Sequence, residues 1–386
     1  MEETNLPEEI IVLILSWLPV KSLLRFTCVS KRFHFIILSN PKFAKSQFQA
    51  ARERKTLDHR LLYNTTVPPL ESLDLETLPL FGDSSYLERR LLYSKIAPRL
   101  ESLHLETTSF GDRSSVRKLQ FPFQPPVGRL SLLGSCNGIV FIAFDERVFY
   151  IWNPSTGFFR KLPDPGSLCD QRFLFNYGVG YLSATDDYKI FIATDVYAIF
   201  SSRAQAWKKL EVYSESPPSY RGTLLNEALH WLNQENGIVA FDLAHEKFSK
   251  MTMPNFDERS LNQFGYLGVS AEGWLSFALS LWNARDCIQV WVMKEYGVHD
   301  SWTKLFNFRF LDPPEGMWSF SRVLVLETSI VAHICSMKEV DNDCITDVKG
   351  LIKILHKEEE KCGEYVIEGF ELKMIRYQES LCRIDD

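Results

Sequence analysis

One short pattern recurs down most of the chain and constrains the fold more than any other feature. It is an aromatic residue, any residue, Lys, then Leu or Met. It appears as Phe159-Arg160-Lys161-Leu162, Trp207-Lys208-Lys209-Leu210, Phe248-Ser249-Lys250-Met251 and Trp302-Thr303-Lys304-Leu305, at separations of 48, 41 and 54 residues. On a strand the aromatic and the Lys point to opposite faces, so the aromatic can pack inward while the Lys stays in water. Each copy closes a run of short apolar segments. The first run reads 131–136, 138–144, 148–153 and 158–162, separated by Asn137-Gly138, Asp145-Glu146 and Pro154-Ser155-Thr156-Gly157, all turn chemistry. Further units follow over roughly 176–213, 222–254, 264–308 and 320–372. A recurrence of about 40 to 50 residues is that of one four-stranded propeller blade. A β-sandwich, the alternative all-β architecture, has no reason to show it. Five units and a strand at Val116-Arg117-Lys118-Leu119 would nearly close a ring.

Residues 5–43 obey a different period. Asn5 can cap a helix, Pro7 sits in its first turn, and Glu8 and Glu9 suit the positive end of the helix dipole. Ile10, Leu13, Ile14, Trp17 and Leu18 follow at helical spacing. Pro19 stops this helix and, with Val20, Lys21 and Ser22, opens a second that carries Leu23 and Phe26. Ser30 can cap a short third helix with Phe33, Ile36 and Ile37, which Asn40-Pro41 ends. Three short helices make a small core by themselves. The segment is therefore either a helical cap on the larger domain or a docking module that completes its core on a partner.

Composition narrows the function classes. Aromatics are 13% of the chain and hydrophobic residues 45%, enough to bury a sizeable core. The net charge of -6 argues against a broadly basic nucleic-acid binder. No apolar run approaches the roughly 20 residues that span a bilayer, and the run 10–15 follows two acids rather than a basic segment, so neither a membrane span nor a signal peptide is expected. The eight cysteines form no CxxC pair, which fits reduced thiols and a cytoplasmic or nuclear setting. His333, Cys335 and Cys344 lack the paired spacing of a zinc site. Residues 1–55 hold 9 Lys+Arg and 5 Asp+Glu, a balance of +4, which leaves -10 for the rest. That basic surplus suits a face turned toward an acidic partner, since no compact basic stripe of a DNA-reading helix accompanies it.

The stretch 56–128 contains an internal copy. Leu61-Leu62-Tyr63 returns as Leu91-Leu92-Tyr93, and Leu70-Glu71-Ser72-Leu73-Asp74-Leu75-Glu76-Thr77 returns as Leu100-Glu101-Ser102-Leu103-His104-Leu105-Glu106-Thr107, a period of 30 residues. Leucine-rich repeats have similar spacing, but Leu78 and Thr108 stand where that repeat needs Asn or Cys, and two copies cannot bury a solenoid core. A duplicated, strand-bearing connector, partly exposed and lying outside the ring, is expected. Deleting residues 83–112 should then leave a folded protein.

At this point the residues themselves resemble known sequences. Leu6-Pro7-Glu8-Glu9, then Leu18-Pro19-Val20-Lys21-Ser22-Leu23-Leu24-Arg25-Phe26, then Cys28-Val29-Ser30-Lys31-Arg32-Phe33, with Pro41 and Phe43 beyond, resemble a plant-type F-box. The family usually carries Trp where this chain has Phe33, which loses an indole N–H but keeps the apolar plug. Gly134-Ser135-Cys136-Asn137-Gly138, Ile151-Trp152-Asn153-Pro154-Ser155-Thr156, Tyr177-Gly178-Val179-Gly180-Tyr181, Leu229-His230-Trp231, Ala240-Phe241-Asp242-Leu243 and Val290-Trp291-Val292-Met293-Lys294-Glu295-Tyr296-Gly297 are similar to the plant F-box-associated domain, a kelch-like propeller in plan without the kelch double glycine. The resemblance implies a Skp1-like adaptor bound through Leu6, Pro7, Ile10, Ile14, Leu18, Pro19, Val20, Leu23 and Phe33. Through that adaptor it implies a cullin and a RING subunit, with an unknown target protein on the β domain.

The fold class expected is α+β by domain: a three-helix F-box over 1–50, a connector over 51–115 with copies at 61–82 and 91–112, a mostly antiparallel β-propeller-like domain over 116–375, and a tail over 376–386. No catalytic, cofactor or metal site is expected. His230 has no nucleophile at a recognised elbow, Asp186-Asp187 suits a turn, and Gly178-Val179-Gly180 lacks the third glycine and helix of a phosphate cradle. The function implied is substrate recognition in an SCF-type E3 ubiquitin ligase. The alternative is a glycan- or regulatory-protein-binding module outside ubiquitination. A copper oxidoreductase would need a Cys–Tyr site that cannot be placed.

Overall fold

The computed structural model describes residues 6–384 apart from 67–98, 106–109, 170–175, 195, 212–220, 234–236, 256–263, 281–286, 310–316, 341–342, 356–360 and 368–369. Its N-terminal part holds α1 (Glu8–Ser16), α2 (Val20–Phe26), α3 (Lys31–His34), a π-helical turn (Phe35–Ser39) and α4 (Pro41–Glu53). Pro19 occupies the N-cap of α2 and ends the preceding helix. Ser30 caps α3, its Oγ accepting from the Phe33 N–H at 3.1 Å. Asn5 lies outside the described residues, and the N-cap of α1 is Pro7, with no side-chain hydrogen bond.

The expected three helices are four. Asn40-Pro41 ends one helix and starts the next. The Asn40 Oδ1 accepts from the Lys42 and Phe43 N–H groups at 3.0 and 3.2 Å, and Pro41 fills the first helical position. An Asn N-cap with Pro at N1 is a start signal as strong as the stop it was read as.

Apart from short 3₁₀ turns at Arg113–Ser115, Gly166–Cys169 and His299–Ser301, the remaining elements among the described residues are strands. In chain order they are β1 (His59–Thr66), β2 (Arg99–His104) and β3 (Val116–Leu119). Then come β4 (Leu130–Cys136), β5 (Ile139–Phe144), β6 (Val148–Trp152) and β7 (Phe159–Lys161). Next are β8 (Asn176–Leu182), β9 (Asp187–Ala193), β10 (Tyr197–Ser201) and β11 (Ala206–Leu210). β12 (Thr223–Leu225), β13 (Ala228–Leu232), β14 (Ile238–Asp242) and β15 (Lys247–Met251) follow. So do β16 (Phe264–Val269), β17 (Leu275–Ser280), β18 (Cys287–Met293) and β19 (Trp302–Arg309). The last five are β20 (Met317–Val325), β21 (Ser329–Val340), β22 (Asp343–Leu355), β23 (Lys361–Tyr365) and β24 (Phe370–Gln378).

They form six four-stranded antiparallel sheets, five of them running in sequence order as β4–β7, β8–β11, β12–β15, β16–β19 and β20–β23. The sixth has the order β24-β1-β2-β3. The C-terminal strand is thus the inner strand of a blade whose other three strands come from the N-terminal side. Tyr63 opposes Met374 on one side and Glu101 on the other. Inner strands β24, β4, β8, β12, β16 and β20 meet in succession around the axis. Mixing both ends of the chain in one sheet closes the ring and leaves no open edge between first and last blade.

This corrects the expected connector and tail. β1 and β2 are interior strands of the sixth blade, with Leu61, Leu62, Tyr63 and Leu103 fully buried. β1 runs into the first duplicated copy from two residues before it and β2 lies in the second, while the intervening 67–98 fall outside the described residues. A single 30-residue period hid one hairpin split across two copies. Residues 370–372, expected in the fifth unit, and 376–378, expected in the tail, likewise belong to the strand β24 that seals the ring.

The recurrent aromatic–x–Lys segments are β7, β11, β15 and β19, the outermost strand of each of four blades. Trp207 packs on Phe149 of the neighbouring blade, and its Nε1 donates to the Pro163 carbonyl at 2.8 Å. Trp302 repeats the contact, donating to the Thr252 carbonyl at 3.1 Å. The aromatic faces the blade interface, as alternation predicts.

Candidate interaction faces

The core of the helical module is small. Leu15, Val20, Leu23, Ile36, Ile37, Phe43 and Ala44 form it, and one residue from the far end of the chain, Leu381, completes it. The segment after β24 turns under the propeller to reach that place. Asn153 Nδ2 donates to the carbonyls of Ser380 and Cys382 at 3.0 and 2.7 Å. Arg383 donates to the carbonyls of Leu38 and Ser39 at 3.1 and 3.3 Å, and Arg160 holds the Ile384 carbonyl at 3.1 Å. Gly138, at φ +76°, lets this segment pass. A Cβ there would lie 2.1 Å from the Ser380 Oγ. On the other side α4 sends Phe48 and Ala51 into the core shared by the first two blades. The helical module therefore packs on the larger domain and completes its core on its own chain, not on a partner.

One surface of the module stays open. Leu6 is 54% exposed, Ile10 41%, Leu13 57%, Ile14 51% and Trp17 65%. Positions 10, 13, 14 and 17 share one side of α1, so this is a continuous apolar stripe while Leu15 faces the core. Arg54 covers one end, its Cζ 4.2 Å from the Trp17 ring centre. Lys21, Arg25, Lys31, Arg32 and His34 stand exposed on the same small module. Isolated monomers do not usually leave such a stripe in water.

Of the residues that resemblance assigns to adaptor docking, Leu6, Pro7, Ile10, Ile14 and Pro19 are exposed and Leu18 and Phe33 half-buried. Val20 and Leu23 are buried, at 7% and 0% exposure. They can only support the surface from beneath. Phe33 packs edge-on against Phe26, centroids 6.1 Å apart. Leu13, Trp17 and Val29 belong to the open apolar surface and were missed. Leu13 and Trp17 are legible in retrospect from the period of α1.

The chemistry-bearing residues weighed in the sequence have structural partners. His230 is fully buried, with Nδ1 3.0 Å from the Thr223 carbonyl and Nε2 2.7 Å from the Tyr296 hydroxyl. Nδ1 is then the donor and Nε2 accepts the tyrosine proton, and burial holds the imidazole pKa below its ordinary value. Asp187, at the start of β9, accepts from the hydroxyls of Ser201 and Ser202 and from the Arg203 N–H, which ties it to the β10–β11 turn. Asp186 bonds the Tyr181 hydroxyl at 2.7 Å and pairs with Lys45 of α4. Burial pushes the Cys136 thiol up to about 12 and the Cys382 thiol to about 11, far from thiolate nucleophiles at neutral pH. No group of three potential metal ligands occurs among the described residues. No helix among them is long and apolar enough to cross a membrane.

Comparison with known proteins agrees with this architecture. Residues 105–384 match the family described as F-box associated beta propeller domain, and residues 4–45 match the F-box domain. F-box protein CPR1 of Arabidopsis thaliana is 27% identical over 359 residues, covering 82% of this chain and 75% of that protein. An F-box/kelch-repeat protein of the same plant is 24% identical over 231 residues, covering 52% of this chain and 57% of its own. With the propeller match spanning most of the chain behind a matched helical module, the protein belongs to the plant F-box proteins that carry an F-box-associated β-propeller.

Proposed function

We propose that this chain is the substrate-recognition subunit of an SCF-type (Skp1–cullin–F-box) E3 ubiquitin ligase. The α1 stripe docks a Skp1-like adaptor, which brings the cullin and RING subunits, and the propeller holds a target protein. The chain itself makes and breaks no bond. Its contribution is proximity, since a target held near a loaded conjugating enzyme presents its lysines at a high effective concentration. The reading places the protein in the cytoplasm, the nucleus or both.

One observation carries it: an F-box module leaves Leu6, Ile10, Leu13, Ile14 and Trp17 in solvent along one line, on a module whose exposed Lys21, Arg25, Lys31 and Arg32 suit an acidic adaptor. The test is co-purification of the full chain with a Skp1-like protein, beside the double variant Leu13→Asp/Ile14→Asp. Both side chains are more than half exposed, so the variant should fold and lose the adaptor. Equal adaptor binding by the variant would refute the docking surface. Adaptor binding without any proteasome-dependent rise of a bound partner upon loss of the protein would favour a binding module outside ubiquitination.

A further inference from the structure

The inner strands of the propeller begin at the face opposite the F-box. The turns that follow β4 and β8, at Asn137-Gly138 and Asp186, touch the C-terminal segment and α4. The beginnings of the same strands therefore lie at the other end of the central channel. Three cations from three blades gather there. Arg221, just before β12, donates through Nη1 to the Met374 carbonyl of β24 at 2.6 Å and through Nη2 to the Leu132 carbonyl of β4 at 2.8 Å. Arg322 of β20 donates to the same Met374 oxygen. Lys373, the preceding residue of β24, reaches the Ser131 hydroxyl at 2.9 Å. The Arg221 guanidinium also sits 5.9 Å from the ring centre of Tyr177, at the start of β8.

Two guanidiniums on one carbonyl oxygen repel each other, and a neutral carbonyl compensates neither charge fully. Among the described residues no carboxylate pairs with Arg221 or Arg322. The Arg221 Nε is buried and makes no hydrogen bond. Titration behaviour follows the same field. Burial and the Arg221 charge bring Arg322 down to about 9. Burial alone would raise the Tyr177 hydroxyl, yet the charges of Arg221, Lys373 and Arg322 hold it below its ordinary value. Arg221, Arg322 and Lys373 are half-buried and Tyr177 is buried, at 7% exposure.

We propose that this mouth of the central channel is a binding site for a phosphate-like oxyanion, held by Arg221 and Arg322 with Lys373 and the Tyr177 hydroxyl completing the cradle. Planar guanidiniums carry several N–H donors each and match tetrahedral oxyanions well. An anion would remove the mutual repulsion of the two arginines and occupy the free Arg221 Nε. The site lies on the face away from the docking helices, so a phosphorylated or free anion can enter while an adaptor is bound. The inference stands on the propeller alone and is independent of adaptor docking.

The test uses the full chain at fixed ionic strength, with inorganic phosphate exchanged for chloride. Binding to the folded state raises the melting temperature, so phosphate should stabilise the protein more than chloride. Amine labelling of Lys373, read by mass spectrometry, should fall in phosphate. The variant Arg221→Gln/Arg322→Gln should lose at least tenfold in phosphate affinity. A short peptide containing phosphoserine, beside its unphosphorylated form, separates the source of the anion. Tighter binding of the phosphopeptide than of free phosphate assigns the site to a target side chain, and the reverse assigns it to a free ion. Equal melting in phosphate and chloride, with unchanged Lys373 labelling, overturns the proposal. So does full phosphate affinity in the double variant. If the double variant fails to fold, the Lys373 labelling of the unmodified chain still decides.

Discussion

Replacing Leu381 by alanine should loosen the F-box while sparing the distant blades. Leu381 is 4% exposed and sits among Leu15, Val20, Leu23, Ile36, Ile37 and Phe43. Removing three carbons forfeits about 2.4 kcal/mol of transfer free energy at about 0.8 kcal/mol per CH₂. The cavity left behind adds to this, so a cost of about 3 kcal/mol falls inside the 2–5 kcal/mol range of buried Leu→Ala changes. A small helical module with one shared core has little reserve against that loss. Its opening equilibrium should rise on the order of 100-fold, at about 1.4 kcal/mol per tenfold. Amide hydrogen exchange reads this directly. Protection should collapse over α2, the π-helical turn and α4, yet remain unchanged in β12–β19, which share no core with Leu381. Uniform loss across all blades would show that the C-terminal segment stabilises the ring and not the module. Unchanged exchange in α4 would refute the shared core outright.

Three further outcomes are expected. Asn40→Ala removes the acceptor for the Lys42 and Phe43 N–H groups and should cost about 1 kcal/mol, as caps do, read as a lower urea midpoint for the F-box amides. Stability should fall in mild acid. Burial, aided by Arg376 at His59 and by Arg322 at His333, brings both imidazoles to about 3 from 6.5. A histidine depressed on folding contributes fully above its unfolded value and loses that contribution as pH falls toward the folded one, so the urea midpoint should drop from pH ~7 to ~5 and drop less in His333→Gln. Deleting residues 70–99 keeps β1 and all of β2 except Arg99, and shortens the connection between Asn64 and Leu100 from 35 residues (65–99) to 5 (65–69). Loop closure then favours the variant by about 1.7 kcal/mol, nearly three halvings at about 0.6 each, and a melting temperature several degrees below the parent would contradict this. The deletion 83–112, which looked neutral for a connector outside the ring, removes β2 from the middle of a blade. It can fold only if residues 70–77 of the first copy replace it.

Much of this architecture was readable along the chain because its rules are local. A blade is four consecutive strands joined by short turns, so period-two alternation, Asn-Gly turns and the outer-strand aromatic each lie within one stretch of about 40 residues. The five blades from Leu130 to Tyr365 fall close to their expected bounds. α1 and α2 follow for the same reason, since Pro19 and the 3.6-residue period act within a few positions. The exposed stripe of α1 was half legible. Helical spacing groups 10, 13, 14 and 17, but which side of a helix apolar almost all round faces water depends on what covers the other.

What the tertiary structure alone decided is where distant segments meet. No local signal says that β24 pairs with β1, because strand pairing leaves its mark only on the alternation that each strand shows anyway. The duplication concealed the one hairpin that bridges the gap, by offering two equivalent partners for β1 at a distance of one period. Leu381 looks like a residue of a polar tail until the ring closes and swings it beneath the F-box. Arg221, Arg322 and Lys373 lie on separate blades and share no motif. The chain determined by itself each blade and each helix, for which neighbours in sequence suffice. Closure of the ring brought the two ends together and set three like charges around one axis, because a closed ring alone forces strands far apart in sequence to share an inner wall.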